Sequence, residues 1–98
     1  MTNHLINIGF QLVPLARTNN IEIIDGVIAI IQSKGYHYEV NPFETVVECT
    51  FEQGTSLMNE INEYCNGLDE LARLLYIRIH AKTGEDILMS SKTDKHRQ

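Results

Sequence analysis

The polar chemistry of this chain is concentrated in one short segment, Gly35 to Cys49, where Glu39, Asn41, Glu44 and Glu48 alternate with aromatic and β-branched residues. Alternation of that kind on either side of Asn41-Pro42 is the pattern of two strands joined by a tight turn. A short turn at Asn41-Pro42 pairs Val40 with Phe43, Glu39 with Glu44 and Tyr38 with Thr45. Tyr36, Tyr38, Val40, Phe43, Val47 and Cys49 then face a core, while His37, Glu39, Asn41, Glu44, Val46 and Glu48 face away from it. Carboxylates directly opposite each other repel unless they are solvated or matched by a cation or a proton. Three readings of that face stand side by side: a solvated surface, a recognition patch for something polar, and an acid/base pair. Nothing nearby offers a nucleophile or an electrophile site to accompany the third.

The elements that position this hairpin follow from periodicity. Leu5–Leu15 reads as a first strand, with Ile6, Ile8, Phe10 and Leu12 on one face and Asn7, Gly9, Gln11 and Val13 on the other. Pro14 ends its pairing because it has no N–H to give. Ile21–Lys34 is rich in isoleucine, which favours strand, but Ile23, Ile24, Val27, Ile28 and Ile31 fall at helical spacing, and Gly35 supplies a C-terminal cap. It is read as a helix, with Gly26 allowing close packing on the sheet. Tyr36–Asn41 and Phe43–Glu52 are the second and third strands. A second helix starts at Gly54-Thr55-Ser56 and carries Leu57, Met58, Ile61, Tyr64, Cys65 and Leu68 as its apolar stripe. Arg73–Lys82 is the fourth strand, with Tyr76, Arg78 and His80 outward, and Thr83-Gly84 turns the chain. Ile87–Met89 makes a short extra strand or packs against a neighbour.

The order β-α-β-β-α-β predicts an α+β, ferredoxin-like domain: a four-stranded antiparallel sheet, strand order 4-1-3-2, with two helices on one face. The 98 residues are read as one domain with its core at about 5–89 and a flexible polar tail at 90–98. The other sheet face is bare in an isolated chain. On it Arg78 is separated from the third strand by the first, which leaves open whether it reaches the carboxylates.

Composition removes several functions. An apolar share of 43% suits a folded protein, and a net charge of -5 with pI near 5.2 argues against nucleic acid as a partner. RNA recognition on this fold also needs aromatic and basic residues where the third strand has Glu44, Val46 and Glu48. No apolar run is long enough to span a membrane, and the N-terminus lacks the pattern of a signal peptide, so the chain reads as cytoplasmic with reduced thiols. Cys49 and Cys65 read as buried apolar side chains. His37 and His80 share a face but lie on opposite edge strands, about 14 Å apart, too far for one zinc ion. No metal, no cofactor and no catalytic residue is assigned.

Phe10-Gln11-Leu12-Val13-Pro14-Leu15 resembles the first strand of the YkoF-like thiamine- and hydroxymethylpyrimidine-binding proteins, which ends in an apolar-x-apolar-x-Pro pattern. Phe43-Glu44-Thr45-Val46-Val47-Glu48 resembles their third strand, and the helix spacing and the Ile77–Gly84 strand and turn also fit. The resemblance implies a ferredoxin-like fold and non-catalytic binding of thiamine or its hydroxymethylpyrimidine moiety. It also implies self-association through sheet faces, as a homodimer or tetramer. Gln11, Pro14, Thr45 and Val46 fall in the matching motifs, whereas Glu39, Glu44 and Glu48 come from parity and charge.

A carboxylate suits both an exocyclic amine and a cationic thiazolium ring. Gln11 or Asn41 offers a donor and an acceptor, and Tyr76 a face for stacking. The expected ligand-binding set is Gln11, Glu39, Asn41, Glu44, Thr45, Glu48 and Tyr76, at the polar sheet face or a subunit interface. The alternatives are an ACT-like regulatory or protein-interaction module and a small monooxygenase-like dimer. The second of these lacks a convincing catalytic group.

Overall fold

A computed structural model describes residues 4–16, 18–68 and 72–93. In chain order it holds β1 (Leu5–Pro14), α1 (Asn20–Ser33), β2 (His37–Val40), β3 (Thr45–Thr50), α2 (Phe51–Asn66), β4 (Arg73–His80) and a short α3 (Met89–Thr93). The strands form one antiparallel sheet in the order β2-β3-β1-β4, the ferredoxin-like arrangement that the βαββαβ order predicts.

The isoleucine-rich segment is a helix. Ile23, Val27 and Ile31 are buried at a spacing of four, so packing decides against the strand propensity of isoleucine. Gly35 ends it at φ +75, a conformation that costs glycine nothing. Gly26 serves a different contact from the one expected. A Cβ there would collide with the Tyr64 hydroxyl of α2, so its bare backbone admits the neighbouring helix rather than the sheet.

The second helix begins at Phe51, three residues before the expected start, because Thr50 ends β3 and caps α2 at once. Thr50 Oγ1 accepts from the Gln53 N–H at 3.2 Å, and Gln53 Oε1 accepts from the Thr50 N–H at 2.9 Å, a complete capping box. Leu57, Ile61 and Cys65 then face inward. Leu57 and Ile61 meet Ile6, Ile8 and Phe10 of β1 and Val47 and Cys49 of β3 in the core. Both cysteines are free and 1% exposed, and burial pushes the Cys49 thiol up to about 11, where it is neither thiolate nor nucleophile at neutral pH.

The opposite sheet face is half covered. After β4 the chain turns through Lys82–Glu85 and runs back across the sheet. Leu5 N–H donates to Asp86 Oδ1 at 2.8 Å, Ile87 N–H to the Leu5 carbonyl at 2.8 Å, Asn7 Nδ2 to the Ile87 carbonyl at 3.0 Å and Met89 N–H to Glu48 Oε1 at 2.7 Å. Asp86 is held below the usual carboxylate range by the Leu5 N–H first and by His4 second. Met89 is 3% exposed. Ile87–Met89 thus packs as a strap rather than adding a strand, and Ser90–Thr93, read from sequence as tail, continue it as α3. Residues 94–98 lie outside the described residues.

Removing the capping hydroxyl tests how α2 is anchored. Thr50→Ala should cost about 1 kcal/mol, a fall of about 4–8 °C in thermal midpoint, because the Gln53 N–H loses its acceptor. Thermal unfolding followed by circular dichroism checks it.

Candidate functional site

Strand register arranges the polar face in rows. His37, Glu48, Asn7 and His80 form one row across all four strands, and Glu39, Val46, Gly9 and Arg78 form the next. Gln11 and Tyr76 follow on β1 and β4. The faces match the parity read from sequence, but the hairpin register does not. Val40 is opposite Thr45 and Glu39 opposite Val46, so the expected Glu39–Glu44 pair is absent. The connection spans Asn41–Glu44 and closes with the Asn41 N–H on the Glu44 carbonyl at 2.9 Å. Phe43 is consequently in the turn and 79% exposed, not in the core.

This longer connection opens a cleft. The ladder from β1 to β3 stops at Phe10–Thr45, while the ladder from β1 to β4 runs on to Pro14–Arg73. Leu15 N–H donates to the Ala72 carbonyl at 2.9 Å, so the odd-numbered residues of β1 turn their main-chain groups toward β4. Leu12, an even position beyond the end of β3, directs its N–H and C=O into the gap instead. Pro14 follows on that side with no N–H to satisfy. The gap is a cleft of about 330 Å³ between Gln11–Pro14 and Val40–Thr45, with Ile24 and Ile28 of α1 lining it.

Four of the residues singled out from sequence line this cleft: Gln11, Asn41, Glu44 and Thr45. Asn41 is exposed at its rim, Gln11 is half-buried, and Thr45 is buried at 7%. Tyr76 is beside Gln11 on the open face, 48% exposed. Glu39 is half-buried on β2, one row away. Glu48 is at the far end of the sheet, where its carboxylate receives the Met89 N–H of the strap. The main chain of Leu12 was not singled out. Its signal in the sequence is indirect: a proline-terminated strand beside a hairpin whose connection is longer than two residues.

Glu44 joins the cleft to the open face. Its carboxylate lies over Gly9, where a Cβ would come within 2.8 Å of Oε1, and reaches Arg78 Nη1 at 2.6 Å. A side chain on β1 would block that crossing, so glycine at position 9 lets an acidic group of the hairpin meet a cation two strands away. Among the described residues no group of three or more His, Cys, Asp or Glu is placed to hold a metal ion. No helix among them is long and apolar enough to cross a membrane.

Residues 8–97 match the family model of the thiamine-binding proteins. The chain belongs to that family. The match covers β1 from Ile8 onward, the other three strands, both long helices and the cleft. A UPF0045 protein of Clostridium perfringens is 27% identical over 92 residues, covering 93% of this thiamine-binding family chain and 96% of the relative. A Thermotoga maritima protein of proposed thiamine biosynthesis or salvage role superposes with a TM-score of 0.87 at 30% identity, over 95% of this chain and 99% of that one. A Bacillus cereus domain of unknown function has the same fold, with a TM-score of 0.87 at 23% identity, over 97% of this chain and 92% of that one.

A methyl group at position 9 tests the bridge. Gly9→Ala should push Glu44 off β1 and break its bond to Arg78, at a stability cost below about 1 kcal/mol since the pair is partly exposed. Arg78 side-chain N–H resonances should shift toward those of a solvated guanidinium. Unchanged resonances would show that Glu44 reaches Arg78 by another route.

Proposed function

We propose that this chain binds thiamine or its hydroxymethylpyrimidine moiety without chemical conversion, in the cleft between Gln11–Pro14 and Val40–Thr45. The observation that carries the reading is the main-chain edge at Leu12, left without a β3 partner among the described residues and set among Gln11, Asn41, Glu44 and Thr45. An aminopyrimidine presents a ring nitrogen that accepts beside an exocyclic amine that donates. A strand edge offers the complementary N–H and C=O at nearly the same spacing. Pre-formed main-chain groups lose little freedom on binding, which favours them over flexible side chains.

The remaining groups suit the rest of the ligand. Phe43, exposed in the turn, offers a flat apolar face to an aromatic ring. Ile24 and Ile28 supply apolar lining. The carboxylate that attracts a cationic thiazolium is Glu44, since Glu48 is engaged by the strap. Its attraction is moderated by Arg78, so charge contributes less than the hydrogen-bonding edge. The absence of conversion is supported by the burial of both thiols.

Two copies associate through the half of the sheet face that the strap leaves open. Leu74 and Tyr76 are 46% and 48% exposed there, beside Val13 and Gln11. Apolar side chains on an exposed face favour association, and burial of that face would dry the neighbouring cleft.

Titration calorimetry with thiamine and with hydroxymethylpyrimidine tests the binding. Both should bind, and Gln11→Ala should weaken each by about tenfold through loss of one hydrogen-bonding amide. No heat with either compound at millimolar concentration would defeat the proposal.

A further inference from the structure

Among the described residues, two basic side chains and a histidine gather in one place on the open face of this acidic chain. Arg78 and His80 of β4 and Lys92 of α3 line a second cavity, of about 170 Å³, with Asn7, Gly9 and Glu44. Lys34 and Lys82 are tied to carboxylates, Glu60 and Glu85, each at 2.6 Å. Lys92 instead has Nζ 3.0 Å from His80 Nδ1. An ammonium only donates, so Nδ1 accepts in this bond, and the tautomer that accepts there presents Nε2–H as a donor. Arg78 is 66% exposed and gives Nη1 to Glu44, which leaves most of its five N–H donors available.

The floor of this cavity holds a second, independent signal. Asn7 is 3% exposed, and its Nδ2 donates to the Ile87 carbonyl, which fixes the orientation of the amide. Among the described residues its Oδ1 is buried without a partner. A lone buried acceptor is costly unless something donates to it. One acceptor beside three donor-bearing side chains matches an oxyanion that keeps one hydroxyl, as a monoanionic phosphate ester does.

We propose that this cavity is a phosphate subsite, and that the ligand of the cleft is taken in its phosphorylated form. The inference rests on the reading of the cleft as a thiamine or pyrimidine site. Glu44 lines both cavities. Gln11 and Gly9 stand about 7 Å apart along β1, a span that a ring carrying a phosphate on a short arm can bridge. The path crosses Gly9, over which the Glu44 carboxylate now lies, so an arm that takes it must displace that carboxylate. A phosphate reaching Arg78 competes with Glu44 for the guanidinium and frees that carboxylate to face a cationic ring in the cleft.

Calorimetry on the full chain with thiamine, thiamine monophosphate and inorganic pyrophosphate tests this. The monophosphate should bind at least about tenfold more tightly than thiamine. Lys92→Gln should erase that difference while leaving thiamine binding unchanged, because Lys92 does not line the cleft. If thiamine binds and its monophosphate binds no more tightly, the phosphate subsite is overturned and the cleft reading stands. If neither vitamin form binds, the cleft reading fails and pyrophosphate decides the subsite alone. A saturable shift of the His80 and Arg78 side-chain resonances upholds an anion site there, and no shift overturns it.

Discussion

The ladder between β1 and β3 stops at Phe10, four residues before β1 itself ends, and the candidate site is made from what that early stop leaves unpaired. A main-chain N–H and C=O deprived of a strand partner must meet water or a ligand. Leu12 is held in that position from its other side, because β1 stays paired with β4 as far as Pro14. The edge is therefore rigid where it is open. Pro14 limits the exposed edge, as it removes the next N–H from a surface that would otherwise invite another strand. The connection Asn41–Glu44 forms the facing wall.

The open face is organised by an absent side chain and by the strap. Without a Cβ at Gly9, Glu44 crosses β1 to Arg78 and ties the hairpin connection to the far edge of the sheet. At the opposite end the strap engages Asn7 Nδ2 and Glu48, while Asn7 Oδ1 is left without a partner among the described residues. Polar residues that looked equivalent in sequence thus serve three different purposes. Glu48 anchors the strap, Glu44 bridges strands beside the cleft, and Gln11 and Asn41 line the cleft itself.

The faces of the strands were legible because side chains alternate with period two. The true hairpin register differs from the short-turn register by two residues, which moves partners but keeps every side chain on its own face. The same error misplaced Phe43, since a turn's length decides which residues leave the ladder. Helix α1 was legible from the spacing of Ile23, Val27 and Ile31. The start of α2 is hidden in the sequence because Thr50 belongs to a strand and a cap together. Sequence distance alone leaves contact between Glu44 and Arg78 open, because it depends on three-dimensional room over Gly9. The strap was unreadable as such: its ties run through main-chain groups, which a sequence does not distinguish from any others.

The proposed site requires that a ligand meet the main chain of Leu12. Amide chemical shifts of the isotopically labelled protein, followed through a titration with thiamine, report this directly. The Leu12 amide should be among the most perturbed, together with those of Asn41 and Thr45. Perturbation confined to the row His37, Glu48, Asn7 and His80, with Leu12 unmoved, would contradict it.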